Sequence, residues 1–332
     1  MSNAVAVLLF GAVVLYAVFA GADFGAGFWD LTAGGAEPGR RPRELIEESI
    51  GPVWEANHVW LIFCLVLLWT SFPSAFAGIM TTLFIPLGLA AVGIVLRGAG
   101  FAFREVLVGA AQERLAGAAF AFSSVITPFF FGTVAGGIAS GRVPAGTGGG
   151  PAFRSWLNPT SLLGGVLAVV TCAFLAAVFL TAEARARRAP DLETWFRRRA
   201  EAAAAVTGVV AAAGVFVLRA DAPRLFHHLL GPALPLVAVS AASGLATLVL
   251  LGHASPRRLR VLAVAAVASI VAGWGVGQYP YLLGTHLRIA QAAAPSSTLW
   301  SMIAIAIAAV VLILPSLALL YALQQRGRLE HG

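Results

Sequence analysis

The chain has 332 residues, of which 59% are hydrophobic and only 11% are charged. Soluble domains carry about 25% charged residues, so most of the surface of this protein must be solvated by lipid. The net charge of +7 comes from 22 basic residues, all of them arginine, which cluster between apolar runs. That arrangement is typical of membrane topology and argues against a nucleic-acid-binding surface.

Nine apolar runs predict nine transmembrane helices, because about 20 residues at 1.5 Å each cross about 30 Å of hydrocarbon. The runs lie near residues 4–24, 53–71, 76–96, 117–139, 160–182, 202–219, 231–252, 259–277 and 298–322. Residues 71–74 supply a turn between the second and third spans. The first run has no basic leader before Arg40, so we expect a mature span there and not a secretory signal. The predicted fold is an all-α integral membrane protein.

The arginines alternate between the two sides of these spans. Loops after the odd-numbered spans hold 17 of the 22, and the opposite loops hold Arg142, Arg154, Arg219, Arg224 and Arg288. The positive-inside rule then predicts an N-terminus outside and a C-terminus in the cytoplasm. Two outer loops, 140–158 and 278–297, are rich in glycine or proline and are expected to be irregular.

Small residues and cysteines within the spans suggest packing and not chemistry. Gly21/Gly25 and Gly132/Gly136 have the spacing that lets two helices approach closely. The two cysteines lie inside apolar runs, so we expect inert thiols and neither a disulfide nor a metal site.

The segment from Trp54 to Trp60 opens the second span and carries the sharpest polar pattern. Glu55 and His58 are three residues apart and Trp54 and His58 four, so these side chains share a helix face. An acid and an imidazole entering from the cytoplasmic side could pass protons inward. Alternatively, Glu55 is a first-turn acid in headgroup water, and His58 is a hydrogen-bonded core histidine.

Two further clusters place charges at span ends. Asp23 lies near the cytoplasmic end of span one, with Asp30 two turns further on the same face. A buried Asp23 would need a partner; the alternative is a hydrated helix end. Arg97 follows the third apolar run and shares a face with Arg104. It could pair with Asp23 or Glu55, or it could be an interfacial arginine that snorkels to water.

Together these clusters resemble subunit II of the cytochrome bd family of quinol oxidases. The matching stretches are GADFGAGFWDL (21–31), IGPVWEANHVWLI (50–62), RGAGFAFR (97–104), WGVGQYPYLL (274–283) and AAAPSSTL (292–299). Their order and spacing and the nine-span pattern all fit. The Glu-Asn-His form at 55–58 also resembles the cyanide-insensitive branch.

The resemblance implies a heterodimer with a haem-bearing subunit I in the bacterial inner membrane, sometimes joined by a small single-span subunit. That complex oxidises quinol and reduces dioxygen to water. Two haems b and one haem d lie in subunit I; subunit II binds no haem, and some members hold a structural quinone. The implied fold of subunit II is two four-helix bundles plus one peripheral helix, here 1–140, 159–277 and 298–323.

The resemblance also carries residue roles. It implies that Asp23 and Glu55 lie on a proton path from the cytoplasm, with Trp54 and Arg97 as structural and electrostatic neighbours. We add His58 to the path and Asn57 to its surroundings, and we expect no catalytic residue in this chain alone. The alternatives are a secondary transporter, which would place charges near the bilayer midplane, and a purely structural scaffold in which both acids are hydrated helix ends.

Overall fold

The structure, a computed structural model, describes residues 1–50, 54–104 and 110–325. This part of the chain is almost entirely helical, with one short pair of strands. In chain order its elements are α1 (Ser2–Leu31), α2 (Ala36–Ile50), α3 (Trp54–Ser71), α4 (Pro73–Thr82), α5 (Phe84–Arg104), α6 (Ala110–Ala139), α7 (Pro159–Ala186), α8 (Pro190–Asp221), α9 (Pro223–Leu229), α10 (Leu234–Leu250), α11 (Pro256–Gln278), β1 (Tyr281–Leu283), β2 (Leu287–Arg288), α12 (Ile289–Ala292) and α13 (Ser296–Gln325).

Six helices in the described ranges are long and apolar enough to cross a membrane. These segments are Ser2–Leu31, Gly117–Ala139, Pro159–Ala186, Pro190–Asp221, Pro256–Gln278 and Ser296–Ile313. Two more candidates are bent pairs, α3 with α4 at 118° and α9 with α10 at 73°. The all-α membrane fold is therefore confirmed, with six to eight candidate spans and one shorter apolar helix over Phe84–Gly100.

The predicted third span, 76–96, is wrong as a single helix. The chain breaks at Leu83, so that the run is divided between α4 and α5. Pro86 accounts for the break, because its ring clashes with the carbonyl of the residue four positions earlier and it has no N–H to donate. The turn predicted around Pro73 does occur, and Pro73 begins α4.

Helix α2 lies in a segment that the sequence analysis treats as a loop, because its arginines are typical of loops between spans. Its residues Leu45 and Ile46 are buried in the core, while its charged residues face outward. Ion pairs from Arg41 to Asp191 and from Arg187 to Glu48 hold it against the α7–α8 connection. A search for continuous apolar runs overlooks such an amphipathic helix, whose apolar residues are spaced by turns.

The loop predicted to be irregular over 278–297 contains an ordered hairpin. Strands β1 and β2 pair antiparallel, with Tyr281 opposite Arg288. Glycines 141 and 284 from the two outer loops approach each other closely, both with positive φ. We call the end of the molecule formed by residues 140–158, 219–233 and 278–296 the hairpin end, and the opposite end, which contains α2, the α2 end.

Helix α1 packs against α3, α6, α7 and α11 and so lies at the centre of the molecule. A Cβ at Gly25 would overlap the carbonyl oxygen of Cys172 on α7, and one at Gly136 would lie 2.5 Å from the Cα of Ser161. The close helix approach predicted from the small-residue pairs is confirmed at both positions. Trp29 adds a cross-link, since its indole N–H donates to the carbonyl of Ala173 at 2.8 Å.

Buried apolar side chains form two clusters, one toward each end. The first joins α1, α2, α7, α8 and α11 toward the α2 end. The second joins the start of α1 to α3, α4, α13 and the hairpin. Buried polar residues also lie between the helices, on α1, α3, α5 and α6.

Candidate functional site

A group of buried polar side chains joins four helices near the α2 end. Asp23 on α1 is 5% exposed, Asn57 on α3 is 1% exposed and Arg97 on α5 is 1% exposed. Ser124 on α6 is also buried. We call Asp23, Asn57, Arg97 and Ser124 the four-helix polar cluster.

The carboxylate of Asp23 has a specific partner. The side-chain amide of Asn57 donates to Asp23 Oδ2 at 2.6 Å. Because Asp23 is buried and hydrogen-bonded, the alternative of a hydrated helix end is wrong for this residue. The prediction that a buried Asp23 would need a partner is confirmed, and Asn57, expected to be a structural neighbour, is that partner.

The guanidinium of Arg97 lies against the same turn of α1. It donates from Nη2 to the main-chain carbonyl of Asp23 at 2.9 Å and from Nη1 to Ser124 Oγ at 2.5 Å. Its Cζ lies 4.4 Å from the ring centroid of Phe120 and 5.1 Å from that of Phe24. Arg97 is therefore not a snorkelling interfacial arginine. Its expected pairing with Asp23 is through the backbone carbonyl and through charge attraction, not a direct carboxylate contact.

The glycines of α1 make room for this arrangement. A Cβ at Gly27 would overlap Ser124 Oγ and would lie 3.1 Å from Arg97 Nη1. Glycine at this position therefore permits the contact between Arg97 and Ser124. In the GADFGAG stretch, the missing Cβ of Gly25 therefore allows α7 to pack closely against α1. The missing Cβ of Gly27 leaves room for the guanidinium of Arg97.

His58 lies between two aromatic rings of α1. Its ring centroid is 6.1 Å from that of Tyr16 and 6.0 Å from that of Phe24, both in edge-on geometry. Phe24 also contacts Arg97, so His58 borders the four-helix polar cluster through this ring. Asp30, two turns beyond Asp23, is bound at 3.2 Å by Nε of Arg43 on α2.

The backbone of Trp54 and Glu55 opens α3, but the placement of their side chains lies outside what the structure describes, as does that of Arg104. Sequence reasoning missed Ser124 and Phe120, which bind Arg97, and Arg43, which binds Asp30. A serine or phenylalanine in an apolar helix carries no local signal of this kind. In the sequence, Arg43 indicates only the orientation of the spans in the membrane.

A second polar cluster occupies the hairpin end. Asp221 accepts hydrogen bonds from both terminal nitrogens of Arg142, at 2.9 and 2.5 Å, and from the backbone and hydroxyl of Thr160. The bonds to the Asp221 carboxylate raise the pKa of the Arg142 guanidinium. This cluster fastens the end of α8 and the loop 140–158 to the start of α7.

No group of three or more His, Cys, Asp and Glu side chains within residues 1–50, 54–104 and 110–325 is placed to hold a metal ion. Cys64 and Cys172 are free thiols in this structure.

The sequence profile of the family described as "Cytochrome bd terminal oxidase subunit II" matches residues 1–324. The chain belongs to this family. Its quoted motifs thus have a common origin with those of known subunits, and the resemblance inferred from them is confirmed.

Two curated relatives support the same assignment. "Cytochrome bd ubiquinol oxidase subunit 2" of Bacillus subtilis (strain 168) is 28% identical over 182 residues, covering 54% of this chain and 52% of the relative. "Cytochrome bd-I ubiquinol oxidase subunit 2" of Escherichia coli (strain K12) is 29% identical over 224 residues, covering 64% and 55%. The chain thus matches about half the length of each of these relatives.

The fold has a counterpart among solved structures. A chain of the bd oxidase from Geobacillus thermodenitrificans superposes with a TM-score of 0.75, covering 97% of this chain and 98% of that chain at 22% identity. At this identity the match establishes the fold.

Proposed function

We propose that this chain is the non-haem subunit II of a quinol:dioxygen oxidoreductase of the aerobic respiratory chain. In this role it stabilises a haem-bearing subunit I and contributes to proton uptake from the cytoplasm. Family membership supports the assignment to the complex. The observation that carries the proton role is the buried Asp23–Asn57 pair beside Arg97, because an ionisable group inside a membrane helix is costly and is usually functional.

The proposed architecture has nine spans. Counting each bent pair as one span and including the apolar helix over Phe84–Gly100 would give that number. We propose α1, α3, α5 and α6 as the first bundle (1–140), α7, α8, α10 and α11 as the second (159–277), and α13 (298–323) as the peripheral helix. The packing of α5 on α6, of α7 on α8 and of α10 on α11 supports this division, although α1 also packs closely on α7.

The proposed orientation places the α2 end in the cytoplasm and the hairpin end outside the bacterial inner membrane. The excess of arginine in the loops of the α2 end supports it. The four-helix polar cluster then lies on the cytoplasmic side, where protons would enter. The haems of the partner supply the chemistry of dioxygen reduction, and this chain would only hold and move protons toward them.

The proposed path enters past Asp23 and reaches Glu55. Both residues occupy the cytoplasmic third of their helices, and Asn57 joins α3 to Asp23 two residues after Glu55. Arg97 places a positive charge beside this part of the path, where its guanidinium donates to the main-chain carbonyl of Asp23. His58, which borders the cluster through Phe24, is proposed as a further member of the path.

Glu55→Gln tests the proton role, because glutamine keeps the shape of glutamate and cannot release a proton. We expect quinol-dependent oxygen uptake by the purified complex to fall on the order of 10²-fold, the usual scale for loss of a proton-transfer group. The reduced-minus-oxidised haem spectrum should be unchanged, since no haem is bound by this residue.

Unchanged turnover in the Gln variant would exclude the proton role and favour the scaffold alternative. If the tagged wild-type chain purified without any haem-bearing partner and moved a solute in liposomes, the transporter alternative would replace the oxidase proposal altogether.

A further inference from the structure

The arginines at the two ends of the molecule have different surroundings. At the α2 end, seven of the described arginines pair with carboxylates: Arg40 with Glu44, Arg41 with Asp191, Arg43 with Asp30, Arg185 with Glu193, Arg187 with Glu48 and Glu183, Arg197 with Glu201, and Arg260 with Glu183. At the hairpin end, which lies wholly within the described residues, five arginines meet one acid, Asp221. Asp221 is already bound by Arg142 and Thr160. The hairpin end is thus strongly cationic.

Two of these arginines are held on one aromatic ring. The Cζ of Arg224 lies 4.1 Å from the ring centroid of Tyr281, and the Cζ of Arg288 lies 5.6 Å from it. Arg224 is fixed further by donating to the carbonyls of Gly284 at 2.6 Å and Gln278 at 3.4 Å. Neither guanidinium has a carboxylate within 4 Å among the described residues. Two like charges held together in this way favour an anion beside them.

Buried polar groups next to Arg224 also lack partners. Gln278 is 4% exposed, and its side-chain amide nitrogen has no hydrogen-bond acceptor within the described part of the chain. His228, whose side chain packs beside Gly277, likewise has a buried Nδ1 without a partner. A buried donor that is unpaired in the protein is costly, so the end of α11 beside Arg224 carries polar groups that the protein leaves unsatisfied.

The surroundings of Gln278 are those of a membrane interface. Tyr279 is 52% exposed and Val276 is 37% exposed, so apolar and aromatic surface lies directly beside the polar group. Tyrosine at a helix end and arginine at headgroup depth are typical of residues that contact lipid headgroups and the first carbons of the chains. A lipid would place its phosphate near the arginines and its acyl chain along α11.

We propose that Arg224, Arg288 and Tyr281 form a binding site for the phosphate of an anionic phospholipid at the hairpin end. The guanidinium groups would donate to the phosphate oxygens, while Tyr281 keeps the two arginines in place. The proposal does not depend on the oxidase role, since lipid retention can be measured without turnover.

The test is native mass spectrometry of the full-length protein in mild detergent, with any subunit that co-purifies. Phosphatidylglycerol and phosphatidylcholine of matched acyl chains are titrated separately. We expect phosphatidylglycerol to be retained preferentially, and we expect Arg288→Gln and Arg224→Gln each to weaken its binding about five-fold, the effect of roughly one basic residue near an anionic headgroup. Tyr281→Phe should bind as the wild type does, because the ring is preserved.

Arg154→Gln is the matched control, because Arg154 is exposed at the same end but is not held on Tyr281. Arg224 supports the hairpin, so the Arg224→Gln variant could misfold. Arg288 is exposed, so the Arg288→Gln variant still tests the proposal in that case. Equal retention of the two lipids, or an equal loss in the Arg154 control, would overturn the proposal. So would displacement of the lipid by millimolar inorganic phosphate, which would indicate a free-anion site.

Discussion

The carboxylate of Asp23 lies in an apolar interior, where the side-chain amide of Asn57 donates to it and Arg97 lies nearby. Asn57 and Ser124 do not titrate in the ordinary pH range, and an arginine keeps its charge in proteins. This residue is therefore the one in the four-helix polar cluster best suited to exchange a proton.

Asp23→Asn separates this role from packing. Asparagine has nearly the same shape and can still accept a hydrogen bond from Asn57, so we expect the complex to assemble with its haem spectrum intact. Turnover should fall on the order of 10²-fold if the proton passes through this position. The measurement is oxygen uptake with excess quinol, normalised to haem content. Wild-type turnover would show that Asp23 has a packing role only.

Arg97 has a structural role that can be tested apart from turnover. Arg97→Leu would remove the donors to the Asp23 carbonyl and Ser124 and would leave the Asp23 carboxylate without a nearby cation. Breaking a buried charge arrangement from one side costs roughly 3–5 kcal/mol. We expect a lower thermal unfolding temperature in detergent and a lower yield of complex. Arg154→Leu, an exposed arginine at the other end, is the control and should change neither.

At the scale of elements, the closest helix contacts in this protein occur at small residues and at hydrogen bonds to the backbone. Helices in lipid gain little from hydrophobic association, so close packing and interhelical hydrogen bonds must hold them together. The approach of α1 to α7 at Gly25, and the Trp29 indole bound to the Ala173 carbonyl, are examples. The same stretch of α1 carries Asp23, so helix contact and the candidate site depend on each other.

Gly25→Ala should separate α1 from α7, because its Cβ would overlap the carbonyl of Cys172. Overpacking of this kind costs roughly 1–3 kcal/mol, which would lower the unfolding temperature in detergent. The control is Gly11→Ala on the same helix, where a Cβ would meet nothing within 4 Å. Equal stability of the two variants would mean that α7 can shift to accommodate the methyl group.

At the scale of the whole molecule, the two ends differ in charge and in secondary structure. The α2 end carries an amphipathic helix fastened by ion pairs, and the hairpin end carries a strand pair with unpaired arginines. In the proposed orientation these two surfaces face the cytoplasm and the outside. The proton path and the lipid site would then lie on opposite faces of the membrane.

Cysteine labelling tests this orientation with two exposed threonines. Thr285 lies in the hairpin turn and Thr194 near the start of α8 at the α2 end. In a background lacking Cys64 and Cys172, we expect Thr285→Cys to react with a membrane-impermeant maleimide in intact cells. Thr194→Cys should react only after the membrane is permeabilised. The reverse pattern would invert the topology and move the four-helix polar cluster to the outer side.

The amino-acid sequence is enough to predict the membrane class, most of the long helices and the family. Apolar runs of span length can be stable only in lipid, and that signal is local and additive along the chain. Asp23 and Arg97 can be identified in the same way, because a charged residue at the end of an apolar run is visible in the sequence without knowledge of helix packing. The division of span three at Leu83 also has a local cause in the sequence, Pro86.

Which side chains meet depends on how the helices pack against one another. Asn57, Ser124 and Phe120 become partners of Asp23 and Arg97 because α1, α3, α5 and α6 cross at one level, which depends on packing between residues far apart in the chain. The burial that distinguishes a held Asp23 from a hydrated helix end likewise depends on these neighbours. The pairing of Arg224 and Arg288 on Tyr281 arises in the same way, since a hairpin and α9 must first fold against each other.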